Sequence, residues 1–83
     1  MQVVETNGIA HAASATEVAS FVRRAFGLRF EMRFAWETEW WPIDAQEVGD
    51  TLAGYYRSTQ SCLEQMREGG ELPSGLAYFR VRR

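Results

Sequence analysis

The sequence predicts a two-layer sandwich of the α+β or α/β class, in the order β-β-α-β-α-β. It would hold one mixed sheet of three to four strands, with two helices packed on one face. Three observations predict it. Two segments open with a capping box and continue with apolar residues at helical spacing. Two others alternate strictly between apolar and polar residues. An Asn-Gly pair near the start separates two short β-prone stretches.

Asn7-Gly8 follows Val3 and Val4 and precedes Ile9. Both residues accept the positive φ of a type I′ turn, so the pair predicts a hairpin with strands over 2–6 and 9–13. Ser14 and Glu17 form the first capping box, in which the serine oxygen accepts from the amide of the third helical residue. Val18, Phe21, Val22, Ala25 and Phe26 then recur at i, i+3, i+4, i+7 and i+8, and Gly27 ends the helix. From 28 to 36 the chain alternates. Leu28, Phe30, Met32, Phe34 and Trp36 share one face of the predicted strand, opposite Arg29, Glu31, Arg33 and Ala35.

Asp44 and Glu47 make the second capping box, with Ile43 and Val48 placed as a hydrophobic staple. Val48, Leu52, Tyr55, Tyr56, Thr59, Leu63 and Met66 trace one helical stripe to about residue 68, where Gly69-Gly70 stops it. Gly49 and Gly54 interrupt that stripe and predict a kink or a close helix–sheet contact. Pro73-Ser74-Gly75 reads as a turn. Beyond it Ala77, Phe79 and Val81 alternate with Leu76, Tyr78, Arg80 and Arg82 in a last strand. Helices lying between strands favour parallel pairing across them, with right-handed connections.

The 83 residues suffice for one domain, 1–83, with a single small core. A net charge of −2 supplies no global attraction to nucleic acid or an anionic membrane. All nine basic residues are arginine, the cation suited to planar, bidentate contacts. Cys62 is the only cysteine, so no internal disulfide forms. No apolar run approaches the roughly 20 residues of a membrane span, and no signal-peptide pattern opens the chain. A cytoplasmic protein without membrane or cofactor is the expectation.

Catalytic chemistry finds little support. His11 is the only histidine and has no acid close in sequence. Cys62 borders an apolar helical stripe, the usual setting of an inert thiol. One His and one Cys give no metal-ligand spacing. Gly69-Gly70 follows a helix instead of opening one, which makes it a stop and not a phosphate loop. Glu37 and Glu39 would share a solvated strand face, where carboxylates of ordinary pKa are poor general acids. No enzyme, metal or cofactor is expected.

Nucleic acid is the alternative partner. Arg29, Arg33, Arg80 and Arg82 around Tyr78 would place phosphate-binding cations beside a stacking aromatic on the uncovered sheet face. Residues 75–79 are weakly similar to the aromatic strand of RNA-recognition motifs. However, Ser74 stands where that motif is basic, and Leu76 and Val81 where it is aromatic. Glu31 and Glu37 dilute the face further.

The tryptophans are the sharpest signal. Trp36, Trp40 and Trp41 lie together, with Glu37 and Glu39 between them and Pro42 behind. Phase along the strand assigns Trp36 to the core. Trp41 falls out of phase and is expected exposed, with Trp40 between the two states. An exposed tryptophan beside carboxylates suits an arginine- or lysine-rich protein surface. The expected function is therefore a small non-enzymatic protein-binding module. Its contacts would be Glu37, Glu39, Trp40 and Trp41, with Tyr55 and Tyr56 in support. Small size, acidity and the want of a catalytic motif match the general profile of inhibitors encoded by phages and mobile elements, such as anti-CRISPR or anti-restriction proteins. Such a protein would modulate a larger partner complex. A homo-oligomeric structural or adaptor protein, a homodimer for instance, is the further alternative, since an open sheet edge or face invites a second copy.

Overall fold

Each helix begins where a side chain can cap it. In the computed structural model, which describes residues 13–82, Ser14 Oγ accepts from the Glu17 amide at 3.1 Å and opens α1 (Ala15–Arg24). Asp44 Oδ1 accepts from the Glu47 amide at 2.8 Å and opens α2 (Ala45–Ala53). Ser58 Oγ accepts from the Ser61 amide at 3.1 Å and opens α3 (Thr59–Arg67). Each contact satisfies one of the amides that a helix leaves without a partner at its start. The chain leaves α1 through Gly27 at φ 85°, a conformation that costs a glycine nothing.

Four strands form one sheet: β1 (Phe30–Phe34), β2 (Trp41–Ile43), β3 (Leu72–Ser74) and β4 (Ala77–Val81). The spatial order is β2-β1-β4-β3, and every neighbouring pair is antiparallel. The central pair joins the first and last strands, with Phe30 opposite Val81, Met32 opposite Phe79 and Phe34 opposite Ala77. Each half of the sheet is a hairpin. The β3–β4 hairpin closes over two residues, with Gly75 at φ 63° in the position that two-residue turns reserve for glycine.

The expected order β-β-α-β-α-β and the mixed sheet are thus overturned. Among the described residues the order is αββααββ, with three helices and an all-antiparallel sheet. Two physical causes account for it. Residues 35–40 turn the predicted long strand back on itself, so the ladder stops at Phe34 and β2 pairs beside β1. The single helix expected from 45 to 68 is two, because Gly54 caps α2 and Ser58 restarts the chain as α3. Pro73 and Ser74, expected in a turn, lie in β3. The predicted N-terminal hairpin over 2–6 and 9–13 lies outside the described residues except Ala13, which is not in a strand.

The core forms where the helices meet one sheet face. Phe30, Leu72, Ala77, Phe79 and Val81 point toward them and are buried with Phe21, Val48, Leu52, Leu63 and Met66. Phe21 of α1 reaches Phe30 of β1 at a ring-centroid distance of 5.7 Å. At Gly49 α1 and α2 approach closely, since a Cβ there would sit 3.1 Å from the Phe21 ring and 3.3 Å from Val18. Two side-chain bonds tie the later elements in. Thr59 Oγ1 donates to the Glu17 carbonyl at 3.2 Å, and Tyr56 Oη donates to the Pro73 carbonyl at 2.7 Å.

Candidate functional site

The turn between β1 and β2 contains Ala35, Trp36, Glu37, Thr38, Glu39 and Trp40, none of them a usual turn residue. Side chains hold it instead. The Glu37 amide donates to the Phe34 carbonyl at 3.0 Å. Glu37 Oε1 accepts from the Phe34 amide at 3.3 Å and from the Trp41 indole at 3.2 Å. Arg33 Nη1 closes the turn from the other side by donating to the Glu37 carbonyl at 2.9 Å. The β1–β2 ladder ends at the Met32–Trp41 pair, so the Glu37 carboxylate takes the amide that β2 no longer reaches.

Alternation along β1 sorts the neighbouring side chains onto two faces. Phe34 lies on the helix side, beyond the region the helices cover, and is 38% exposed. Trp36 stacks on it, with ring centroids 4.9 Å apart and planes 2° from parallel, and is 68% exposed. Trp41, 49% exposed, is tied to the Phe34 backbone amide through Glu37. The Leu76 carbonyl accepts from the Ala35 amide at 2.7 Å, so the exposed Leu76 side chain joins the same end of the sheet. Tyr55 is also exposed and places its hydroxyl against Gly75.

The opposite sheet face carries a stack of cations and rings. The Arg80 guanidinium lies 3.9 Å from the Trp40 ring centroid, Arg33 lies 5.1 Å from the same ring, and Arg33 also lies 4.9 Å from the Tyr78 ring. Arg80 reaches Glu31 Oε1 through Nε at 3.0 Å and Nη2 at 2.9 Å. Arg33 Nη2 is 4.0 Å from Glu71. Both guanidinium groups are therefore engaged within the protein.

The residues singled out in the sequence divide accordingly. Glu37 and Trp41 meet directly. Glu39 is exposed in the same turn. Trp40 is half-buried on the other face, among Arg33, Tyr78 and Arg80. Tyr56 is half-buried and bonded to β3, whereas Tyr55 is open. Arg29 and Arg82 are exposed beyond the far end of the central strand pair, where the Arg82 amide donates to the Arg29 carbonyl at 2.7 Å. His11 lies outside the described residues. Cys62 is buried, and desolvation pushes its thiol up to about 11. Among the described residues no group of three His, Cys, Asp or Glu side chains could hold a metal ion. None of their helices is long and apolar enough to cross a membrane.

Trp36 corrects the sequence reading. It keeps the phase of the core residues, yet the strand ends before it and carries it into solvent. Phe34 and Trp36 were missed as surface groups, whereas Leu76 is exposed as its place opposite Ala77, Phe79 and Val81 in the alternation implied. One signal for the two aromatics was volume: five phenylalanines and three tryptophans are more than a core of this size holds. Comparison with protein-family models, curated proteins and solved structures finds no match to this chain.

Proposed function

We propose that this chain is a non-enzymatic protein-binding module whose contact surface is the aromatic end of the sheet: Phe34, Trp36 and Trp41, flanked by Leu76 and Tyr55. The stacked pair of Trp36 on Phe34 carries the proposal. Two aromatic rings held parallel in the open leave one large indole face to water, and Glu37 already fixes the surrounding backbone. A rigid aromatic surface binds with little loss of side-chain freedom, which is why tryptophan dominates interface hot spots. Contiguous exposed apolar groups favour the same reading.

The sheet edges favour docking on side chains over strand addition. Both edge strands are three residues long, and each has a proline at its centre, Pro42 in β2 and Pro73 in β3. Short, proline-bearing edges are poor templates for a further strand, whether from a partner or from a second copy. Single-stranded nucleic acid fits less well, because Arg33 and Arg80 are already spent on carbonyl, carboxylate and ring partners. The narrower role of an inhibitor from a phage or mobile element rests on size and acidity, and nothing in the geometry bears on it.

The test is affinity capture from a lysate of the source cells with three forms of the protein. Wild type and Phe26→Ala, a control at a 93% exposed phenylalanine on the loop after α1, are expected to retain the same protein in comparable amount. Trp36→Ala, with unchanged circular dichroism, is expected to lose it. Retention by all three forms, or release by nuclease, would overturn the proposal.

A further inference from the structure

We infer that the occupant of the aromatic end is a cationic protein segment, one that lays arginine or lysine side chains on Trp36 and Trp41 against Glu37 and Glu39. This rests on the binding-module reading and adds the chemistry of the partner. The distribution of charge carries it. The Glu37 carboxylate is fixed between the Phe34 amide and the Trp41 indole, so its negative charge stands among the aromatic rings. Glu39 follows in the same turn, exposed and without a hydrogen bond or ion pair among the described residues. The arginine nearest in sequence, Arg33, faces the other way. Its guanidinium stacks between Trp40 and Tyr78 and donates to the Glu37 carbonyl. The Arg33 guanidinium reaches the turn only at the Phe34 and Glu37 carbonyls, and among the described residues no ion pair or cation–ring contact involves Trp36, Trp41, Glu37 or Glu39. The aromatic end thus presents ring faces and carboxylates together.

That combination is complementary to a guanidinium or ammonium group, which is drawn to the face of an indole ring and to the carboxylate beside it. The chain uses the same chemistry internally, where Arg80 covers Trp40 and pairs with Glu31. A second copy fits poorly. A two-fold contact through this surface would set Glu37 and Glu39 against their own equivalents, and like charges across an interface are costly. A polyanion meets the same repulsion.

The experiment is a titration of ¹⁵N-labelled protein with three six-residue peptides: hexa-arginine, hexa-glutamate and alternating glycine-leucine. Hexa-arginine is expected to shift the indole N–H signals of Trp36 and Trp41 saturably, and hexa-glutamate to leave them in place. Glu39→Gln should weaken the arginine peptide about threefold, and Trp36→Ala about tenfold, with the remaining spectrum preserved in both. If the glycine-leucine peptide moves the indoles and hexa-arginine does not, the inference fails while the binding-module reading stands. No response to any peptide, or a response to hexa-arginine spread evenly over every acidic surface residue, also overturns it. So do indole shifts that grow with protein concentration alone, because the occupant is then a second copy. The capture experiment, which uses no peptide, decides the parent reading separately.

Discussion

Arg80 and Trp40 are in direct stacking contact, the guanidinium carbon lying 3.9 Å from the indole centroid. Arg80 belongs to β4 and Trp40 to the turn before β2, with β1 between them. The contact therefore crosses β1 and ties β4 to the start of β2 on the face without helices. It explains why Trp40 is half-buried without entering the core, and why Arg80 is not available to an external phosphate.

Arg80→Lys keeps the charge but removes the planar group that satisfies Trp40 and Glu31 together. The loss expected is about 1 kcal/mol, the scale of a partly exposed cation–ring contact with one charge-assisted hydrogen bond. A lower urea midpoint with unchanged slope would show it. A double-mutant cycle with Trp40→Leu isolates the stacking. A coupling energy of zero would mean that the ring and the guanidinium meet without stabilising the sheet.

Gly49 and Gly54 should respond oppositely to alanine. At Gly49 the new methyl would press on Phe21 and Val18, both buried and unable to retreat. Overpacking of this kind costs about 1–3 kcal/mol, against a helix-propensity gain of about 1 kcal/mol. Gly49→Ala is therefore expected to destabilise, and Gly49→Val more so. At Gly54, φ is −76° and the nearest atom to an added Cβ is the Thr51 carbonyl oxygen at 3.5 Å, so Gly54→Ala is expected to be neutral or mildly stabilising. Thermal unfolding of the two variants side by side checks the contrast.

These glycines show how far the sequence could be read. Both were visible as interruptions of a helical stripe, but one line of sequence does not distinguish close packing at Gly49 from a helix end at Gly54. The caps at Ser14 and Asp44 were legible because capping depends only on residues three apart. The β1–β2 turn was not legible. Its closure depends on the Glu37 carboxylate and the Arg33 guanidinium, which no turn propensity encodes. That one omission propagated. With residues 35–40 taken as continuing strand, Trp36 inherited a core position and β2 had no place in the sheet. The pairing of β1 with β4 was equally hidden, because it joins strands more than forty residues apart in sequence.

Thr59 offers a test of how α3 is anchored. Its side chain is fully buried, and Oγ1 donates to the Glu17 carbonyl in α1 across 3.2 Å. Thr59→Val preserves shape and removes the donor, leaving that carbonyl with one fewer partner. A loss of about 1–2 kcal/mol is expected. Thr59→Ser keeps the hydroxyl and loses a methyl, so it should retain the bond at the cost of a small cavity. Amide hydrogen exchange would locate the effect at the start of α3. If Thr59→Val matched wild type in stability and exchange, the bond would contribute nothing.

Cys62 and Tyr56 together make stability fall in alkali. Burial raises the Cys62 thiol from 9.0 to about 11, and burial with the neighbouring thiol raises Tyr56 above its ordinary value of 10.0. Between about pH 9 and 11 the unfolded chain has lost the Cys62 proton and the folded chain keeps it. The folded state then binds more protons, so stability decreases as pH rises through that window. The cysteine contribution is intact below pH 9 and amounts to about 3 kcal/mol at most. Tyr56 adds the same sign at higher pH. Cys62→Ala lowers stability at every pH by leaving a small cavity, but it should flatten the decline from pH 9 to 11. Urea midpoints for both proteins at pH 7.5, 9, 10 and 11 separate the constant offset from the slope. Parallel curves would mean that the folded thiol titrates as it does in the unfolded chain. At pH 8 the folded protein should react with a thiol reagent at least tenfold more slowly than the urea-unfolded chain, because the thiolate is both scarcer and buried.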